Sequence, residues 1–305
     1  MTSNGYEDWI VEDDFNNTRV DYFLKKKLKD FSYPSVCQII RKGLIKVNDK
    51  KVKNNHILSN RDNIKLLKGL IKNESVKGSF HDKFKFKKLL DECLIYNDNN
   101  YLAINKPPGL AVQGGSKISN SIDKILAGLT DAFEEEPRLV HRLDKSTSGV
   151  LIFAKNLNSA SFICDLFKER KINKTYLAVV DGSLKIKQSD ITFPIFDGKK
   201  KLEAITDYEV VEEKNNFSLL MIIPKTGRKN QIRKHFYLLK KPILGDSKFI
   251  LEKDSFKKSH SRLYLHSYKT EFIDQENKII SIKAKIPKYF EQFLKRNSFK
   301  KILNL

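Results

Sequence analysis

Apolar positions near the start of the chain follow a helical rhythm and then a strand rhythm. Val20, Phe23, Leu24 and Leu28 fall three to four residues apart, which predicts a helix. Ser32-Tyr33-Pro34 offers a cap and an early helical proline. Val36, Ile39, Ile40 and Leu44 make a second stripe, with Gly43 placed to end that helix. Leu44 to Val47, an Asn48-Asp49 turn and Lys51-Val52 read as a hairpin, and Ile64 with Leu66 as another strand. Residues 18–70 are thus expected to form two short helices on a small sheet. Residues 71–90 are polar and basic and read as a linker. From 91 to 286 the pattern is mixed. Strands are expected at 94–96, 102–104, 150–153, 176–180, 204–211, 219–223 and 279–284, and helices near 122–129, 158–169 and 231–239. Many strands with few intervening helices point to the α+β class. An acidic arm, 1–17, precedes this arrangement and an amphipathic basic helix, 287–305, is expected to close it.

Length and composition narrow the picture. At ~150 residues per domain, 305 residues give about two domains. A hydrophobic share of 40% excludes a disordered chain. No apolar run approaches ~18 residues, so no membrane helix is expected. The first 17 residues carry Glu7, Asp8, Glu12, Asp13 and Asp14 and no basic residue, unlike a secretory or mitochondrial leader. Cys37, Cys93 and Cys164 are scattered, which fits a reducing cytosol and a cytoplasmic location. Lys and Arg number 58 against 37 Asp and Glu, a net charge of +21. Such an excess attracts a polyanion. Residues 41–55 concentrate six basic residues against Asp49, a corner that is either a solvated face or an RNA contact through Arg41, Lys42, Lys46 and Lys50.

Familiar cofactor chemistry is missing. The chain has no GxxxxGK[ST] loop and no GxGxxG after a strand. Its six histidines, at 56, 81, 141, 235, 260 and 266, show no metal-binding spacing. His141-Arg142-Leu143-Asp144 lacks every other kinase element. Neither a metal nor a cofactor is expected. Three dense polar segments remain: 105–115 (NKPPGLAVQGG), 138–149 (RLVHRLDKSTSG) and 225–235 (KTGRKNQIRKH). Arg138, Arg142, Arg228 and Arg233 supply the last two with planar forks suited to carboxylates or phosphates. Basic residues at the start of a helix, as around Arg233, oppose its dipole unless something anionic lies nearby.

These segments resemble the RluA family of pseudouridine synthases. HRLDKSTSGVLIFAK (141–155) is similar to the family's catalytic motif, KTYLA (174–178) to its second, TGRKNQIRKHF (226–236) to its third and NKPPGLAVQGG (105–115) to its first, in the family's order. TRVDYFL (18–24), SVCQIIRKGLIKVNDKKVK (35–53) and NRDNIKL (60–66) resemble an S4 RNA-binding domain. The two together are most similar to RluC-type synthases of large-subunit (23S) ribosomal RNA. Two departures occur: Gln113 stands where many relatives have His, and Lys229-Asn230 where Thr-His is usual.

The resemblance implies a mixed, mostly antiparallel catalytic sheet and a cofactor-free isomerisation of uridine. Asp144 would be the catalytic carboxylate, as nucleophile or base. Arg233 would pair with it, and Tyr176 would lie on the target base and could assist proton removal from C5. Arg142 would fill the stack left by an extruded nucleotide, and Arg138, His141, Lys106 and Arg228 would contact RNA. The implied partner is large-subunit ribosomal RNA during assembly, met by a monomer with no membrane. The rival reading is a catalytically idle RNA-binding assembly factor, which would be expected to have lost Asp144, Tyr176 or Arg233; all three are present.

Overall fold

The computed structural model describes residues 6–28, 31, 33–67, 88–114, 121–126, 137–198, 200–251 and 262–301. The chain divides into two compact units, Met1–Lys83 and Phe84–Leu305. Most of the expected linker, 71–87, and the far end of the expected helix at 122–129 lie outside the described residues.

In the smaller unit a three-stranded antiparallel sheet runs in the order β1 (Tyr6–Ile10), β3 (Asn63–Leu67), β2 (Ile45–Val47). Helices α1 (Val20–Lys27) and α2 (Tyr33–Arg41) cover it. Val20, Phe23 and Leu24 meet Val36, Ile39 and Ile40 over Ile45, Ile64 and Leu66, so the two predicted stripes close one core. Two details differ from the expectation. The acidic arm is part of this sheet: Val11 is buried, and Trp9 and Phe15 pack on the core. Three apolar residues among five carboxylates are enough to dock the segment, with Asp8, Glu12, Asp13 and Asp14 left exposed. The Asn48-Asp49 turn forms, with both residues in the left-handed region, yet β2 pairs with β3 rather than with Lys51-Val52.

The larger unit is built on a ten-stranded sheet. Its main path is β4 (Leu94–Asn97), β5 (Tyr101–Lys106), β7 (Ser148–Ala154), β14 (Leu265–Ile273), β8 (Asn173–Asp181), β13 (Phe217–Pro224), β12 (Thr206–Lys214) and β9 (Gln188–Ile191). β6 (Arg138–Leu139) joins β7, and β15 (Ile279–Lys283) joins β14. Among the described residues β7 and β14 form the one parallel strand pair of this sheet, so the sheet is mixed and mostly antiparallel. β10 (Ile195–Asp197) and β11 (Lys200–Leu202) form a separate hairpin. Alternation on β8 serves both faces. Ala178 and Val180 pack with Ile232 and Phe236 of α5 (Gln231–Leu238). Leu177 and Val179 pack with Phe290, Phe293 and Leu294 of α6 (Lys288–Arg296). Helices α3 (Ile122–Leu126) and α4 (Leu157–Lys168) lie earlier in the chain, and α4 contributes Ile163 to the core around β7. β7, buried along its whole length, is the strand expected at 150–153, extended to include Ser148, Gly149 and Ala154. Among the described residues no helix is long and apolar enough to cross a membrane.

Candidate active site

The loop 140–147 turns the chain from β6 into β7 and carries Asp144 at its tip. Its two ends are fixed from inside. His141 accepts the Ile152 N–H at Nε2, 2.8 Å, and its ring stacks on Phe167 with centroids 5.0 Å apart. Burial pushes the His141 pKa down to about 3, with Lys174 adding to the effect, so the ring is neutral. At the other end Gly149 has φ +111, and a Cβ there would lie 2.1 Å from the Ser267 carbonyl of β14, so only glycine fits. Beside it, His266 Nε2 faces the Ala284 carbonyl at 3.1 Å and therefore carries the proton. Nδ1 then accepts from Ser148 Oγ at 2.9 Å.

Lys106 braces the loop from below. It is fully buried, and its Nζ donates to the carbonyls of Pro107 (3.0 Å), Leu110 (2.9 Å) and Lys145 (3.2 Å). The Gly109 N–H reaches the same Lys145 carbonyl at 2.8 Å. Burial pulls the Lys106 amine down to about 7 against the opposing field of Asp144. The Pro-Pro-Gly segment is thus tied to the residue after Asp144. One sequence expectation changes here. Lys106, expected to contact RNA, directs its donors to carbonyls inside the protein. His141, expected to contact RNA, lines the cleft with a neutral ring whose Nε2 is committed to the Ile152 N–H.

Tyr176 stands on β8 opposite Ser267, whose hydroxyl hydrogen-bonds the phenol. Burial pushes the phenol up to about 12 and Asp144 adds to this, so the hydroxyl is protonated at neutral pH.

Arg233 forms the expected ion pair with Asp144, but only through one nitrogen; its guanidinium fork is held elsewhere. Nε and Nη2 donate to the two oxygens of Asp246, both at 2.7 Å. Nη1 donates to Asn230 Oδ1 at 3.0 Å and stands 3.6 Å from Asp144 Oδ2. The side chain of Asp246 is 1% exposed and that of Asp144 25%. The bidentate bond has gone to the drier carboxylate, which has no water to turn to. Burial works against the Arg233 charge, but the hydrogen-bonded Asp246 and the nearby Asp144 outweigh it and raise its pKa.

The segment before α5 is organised by Gln231. Its Oε1 accepts from Thr226 Oγ1 (2.7 Å) and the Arg228 N–H (2.9 Å), and its Nε2 donates to the Ile205 carbonyl and to Thr206 Oγ1, both at 2.9 Å. Asp246, Asn230 and Gln231 were assigned no role from the sequence. The signal for Gln231 lay within the third motif, and Asp246 offered only a lone carboxylate after Leu244-Gly245.

Asp144, Tyr176, Arg233, Arg142, His141 and Arg228 line one cleft of about 750 Å³, rimmed also by Arg170, Lys174, Lys225 and Lys229. Arg142 is exposed and donates to Gln113 at 3.1 Å. Arg228 donates from Nε to the Glu203 carbonyl. Arg138 lies on β6 and is absent from the cleft lining. Arg41, Lys42 and Lys50 are exposed on the smaller unit and Lys46 is partly so. The arrangement joins a carboxylate, a cation anchored elsewhere and a flat phenol inside a positively charged rim, which suits attack on a sugar or base within an anionic polymer.

Comparison with known proteins gives a consistent result. Residues 100–237 match the family described as RNA pseudouridylate synthase. The ribosomal large subunit pseudouridine synthase C of Rickettsia bellii is 39% identical over 220 residues, covering 68% of this chain and 72% of that protein. The Rickettsia typhi protein of the same name is 37% identical over 303 residues, covering 91% of this chain and 98% of that one. Among solved structures, human RNA pseudouridylate synthase domain containing 4 superposes with a TM-score of 0.63 at 24% identity, over 72% of this chain and 97% of that one, a likeness of fold.

Proposed function

This chain belongs to the RNA pseudouridylate synthase family, and from that premise we propose how its cleft works. It is an isomerase that converts uridine to pseudouridine in ribosomal RNA, with the large-subunit RNA as substrate by its likeness to the Rickettsia enzymes. The N1–C1′ bond breaks, the uracil turns while bound and C5 bonds to C1′, with no net redox change or hydrolysis.

The observation that carries the residue assignment is the position of Asp144. It is a partly exposed carboxylate in the cleft, with a guanidinium nitrogen 3.6 Å away. Chemistry at a sugar carbon with cationic character calls for such a group, as nucleophile or base. The Arg233 cation sits 3.6 Å away, yet its fork is occupied by Asp246, so the oxygens of Asp144 stay available. Tyr176, held neutral, offers a flat face to the base. Because the phenol is protonated at neutral pH, it can take the C5 proton only after losing its own, and Ser267 holds the phenol oxygen in place by a hydrogen bond. Reaching a base inside folded RNA requires extrusion, and Arg142, exposed at the cleft mouth, is the side chain placed to enter the gap.

In the smaller unit the S4-like reading assigns Arg41, Lys42, Lys46 and Lys50 to phosphate contacts. A cytoplasmic monomer acting on RNA during assembly extends the same reading, because extrusion is easiest before the RNA is packed away.

The test is Asp144→Asn, which removes the charge and keeps the shape. Single-turnover conversion of a large-subunit RNA fragment should fall by several orders of magnitude, roughly 10³-fold or more, with RNA affinity retained. A rate within about tenfold of wild type, a ~1.4 kcal/mol effect, overturns the assignment.

A further inference from the structure

We propose that Asp246 is a positioning residue for the reaction, acting on Asp144 through Arg233; the inference rests on the reading of Asp144 as the catalytic carboxylate. A guanidinium has five N–H donors in one plane. Asp246 takes the Nε and Nη2 side as a fork, at 2.7 Å and 2.7 Å, and leaves Nη1 as the edge that faces the cleft. Asp246 is itself fixed. The N–H groups of Lys248 and Phe249 donate to its Oδ1 at 2.8 and 3.1 Å. It follows Gly245, whose φ of +73 brings it so close to the Arg262 carbonyl that a Cβ would lie 1.9 Å from that oxygen. The Phe249 ring lies 5.2 Å from the guanidinium carbon. The plane of the cation is therefore set mainly by groups outside the cleft lining, with Asn230 at the cleft accepting from Nη1 at 3.0 Å.

This arrangement divides one positive charge between two carboxylates. Asp144 receives the field of the cation across 3.6 Å without being locked by it. A carboxylate bound by the whole fork would have fewer free lone pairs for C1′ or a proton, and its rotamer would follow the arginine instead of the substrate. Asp246 prevents that by occupying the fork.

The experiment compares wild type, Asp246→Asn and Asp144→Asn by single-turnover tritium release from 5-tritiated uridine RNA at saturating enzyme, across pH. Asp144 faces Arg233 from α5, Tyr176 from β8 and the buried Lys106 from β5. In Asp246→Asn the fork loses its charged partner, and Nη1 is no longer held at its fixed distance from Asp144. The expected result is a saturated rate lower by about tenfold or more, a displaced acid limb and unchanged RNA affinity. A folded Asp246→Asn with a rate within about twofold of wild type and an unmoved acid limb overturns the proposal, whatever its melting temperature. Activity retained in Asp144→Asn instead overturns the underlying reading. Should Asp246→Asn fail to fold, the side-chain NMR signal of Arg233 Nε–H decides the matter without it. Protection from exchange that persists in Asp144→Asn supports Asp246 as the anchor, and protection lost there overturns it.

Discussion

The molecule handles positive charge in two opposite ways. In the larger unit, Arg233 and Lys106 are buried, and each hydrogen bond they donate goes to a partner fixed by the fold. In the smaller unit, Arg41, Lys42 and Lys50 project into solvent around a turn. A buried cation acts by geometry, through short bonds in a low dielectric that salt hardly screens. An exposed cluster acts by its summed field, tolerates rearrangement and weakens as salt rises. In the function proposed above, the first kind orients a reacting group and the second brings an anionic polymer to the surface.

Acid breaks this contrast most strongly. His141 and His266 are neutral in the folded larger unit, with pKa values of about 3 and about 4 against an ordinary 6.5. Between those values the unfolded chain binds more protons than the folded one, so stability rises with pH. The contribution is complete above pH 6.5 and is lost as pH falls through the window. His266 alone should cost the larger unit about 2 kcal/mol at pH 5, and His141 adds to this in the same direction. The described histidine of the smaller unit, His56, is only partly buried. Urea unfolding followed by amide exchange at pH 7 and pH 5 should show the larger unit weakening first. Equal loss in both units would contradict the assignment.

Arg233→Lys sharpens the geometric half. Lysine keeps the charge and loses the fork, so Asp246 and Asp144 can no longer both be served. The saturated rate should fall about 100-fold, as a displacement of ~1 Å can produce, with RNA affinity little changed. A normal saturated rate with weaker binding would instead make Arg233 a phosphate contact.

The smallest effect belongs to the exposed corner. Neutralising Arg41, Lys42, Lys46 and Lys50 to Gln should flatten the salt dependence of binding to long RNA, lowering the slope by about 3 and weakening affinity about tenfold near physiological salt. Single-turnover chemistry at saturating enzyme should stay normal. An unchanged slope would remove the smaller unit from the RNA contact.

Much of the fold was legible because the signals are local. The stripes of α1 and α2, the buried run of β7 and the amphipathic α6 each depend on residues a few positions apart. β14 was missed although it lies at the centre of the sheet. Its LHSYKTEFI mixes apolar residues with buried His266, Ser267 and Thr270, and His266 and Ser267 find partners on β7 and β8. β1 was hidden by its carboxylates for a similar reason: only the docked positions of Trp9 and Val11 reveal it.

The sequence by itself determined the family and the reaction, and it singled out Asp144 as the carboxylate proposed for the chemistry, because these rest on short motifs whose side chains carry the chemistry wherever they are placed. Tertiary structure alone decided which charges meet. It turned Lys106 and His141 inward, gave the Arg233 fork to Asp246 and left Asp144 with a single guanidinium edge. Pairing of this kind depends on the burial and approach of segments far apart in the chain. A carboxylate that folding has stripped of water binds a cation more firmly than one that water still reaches, and the order of residues does not record which of the two will be drier.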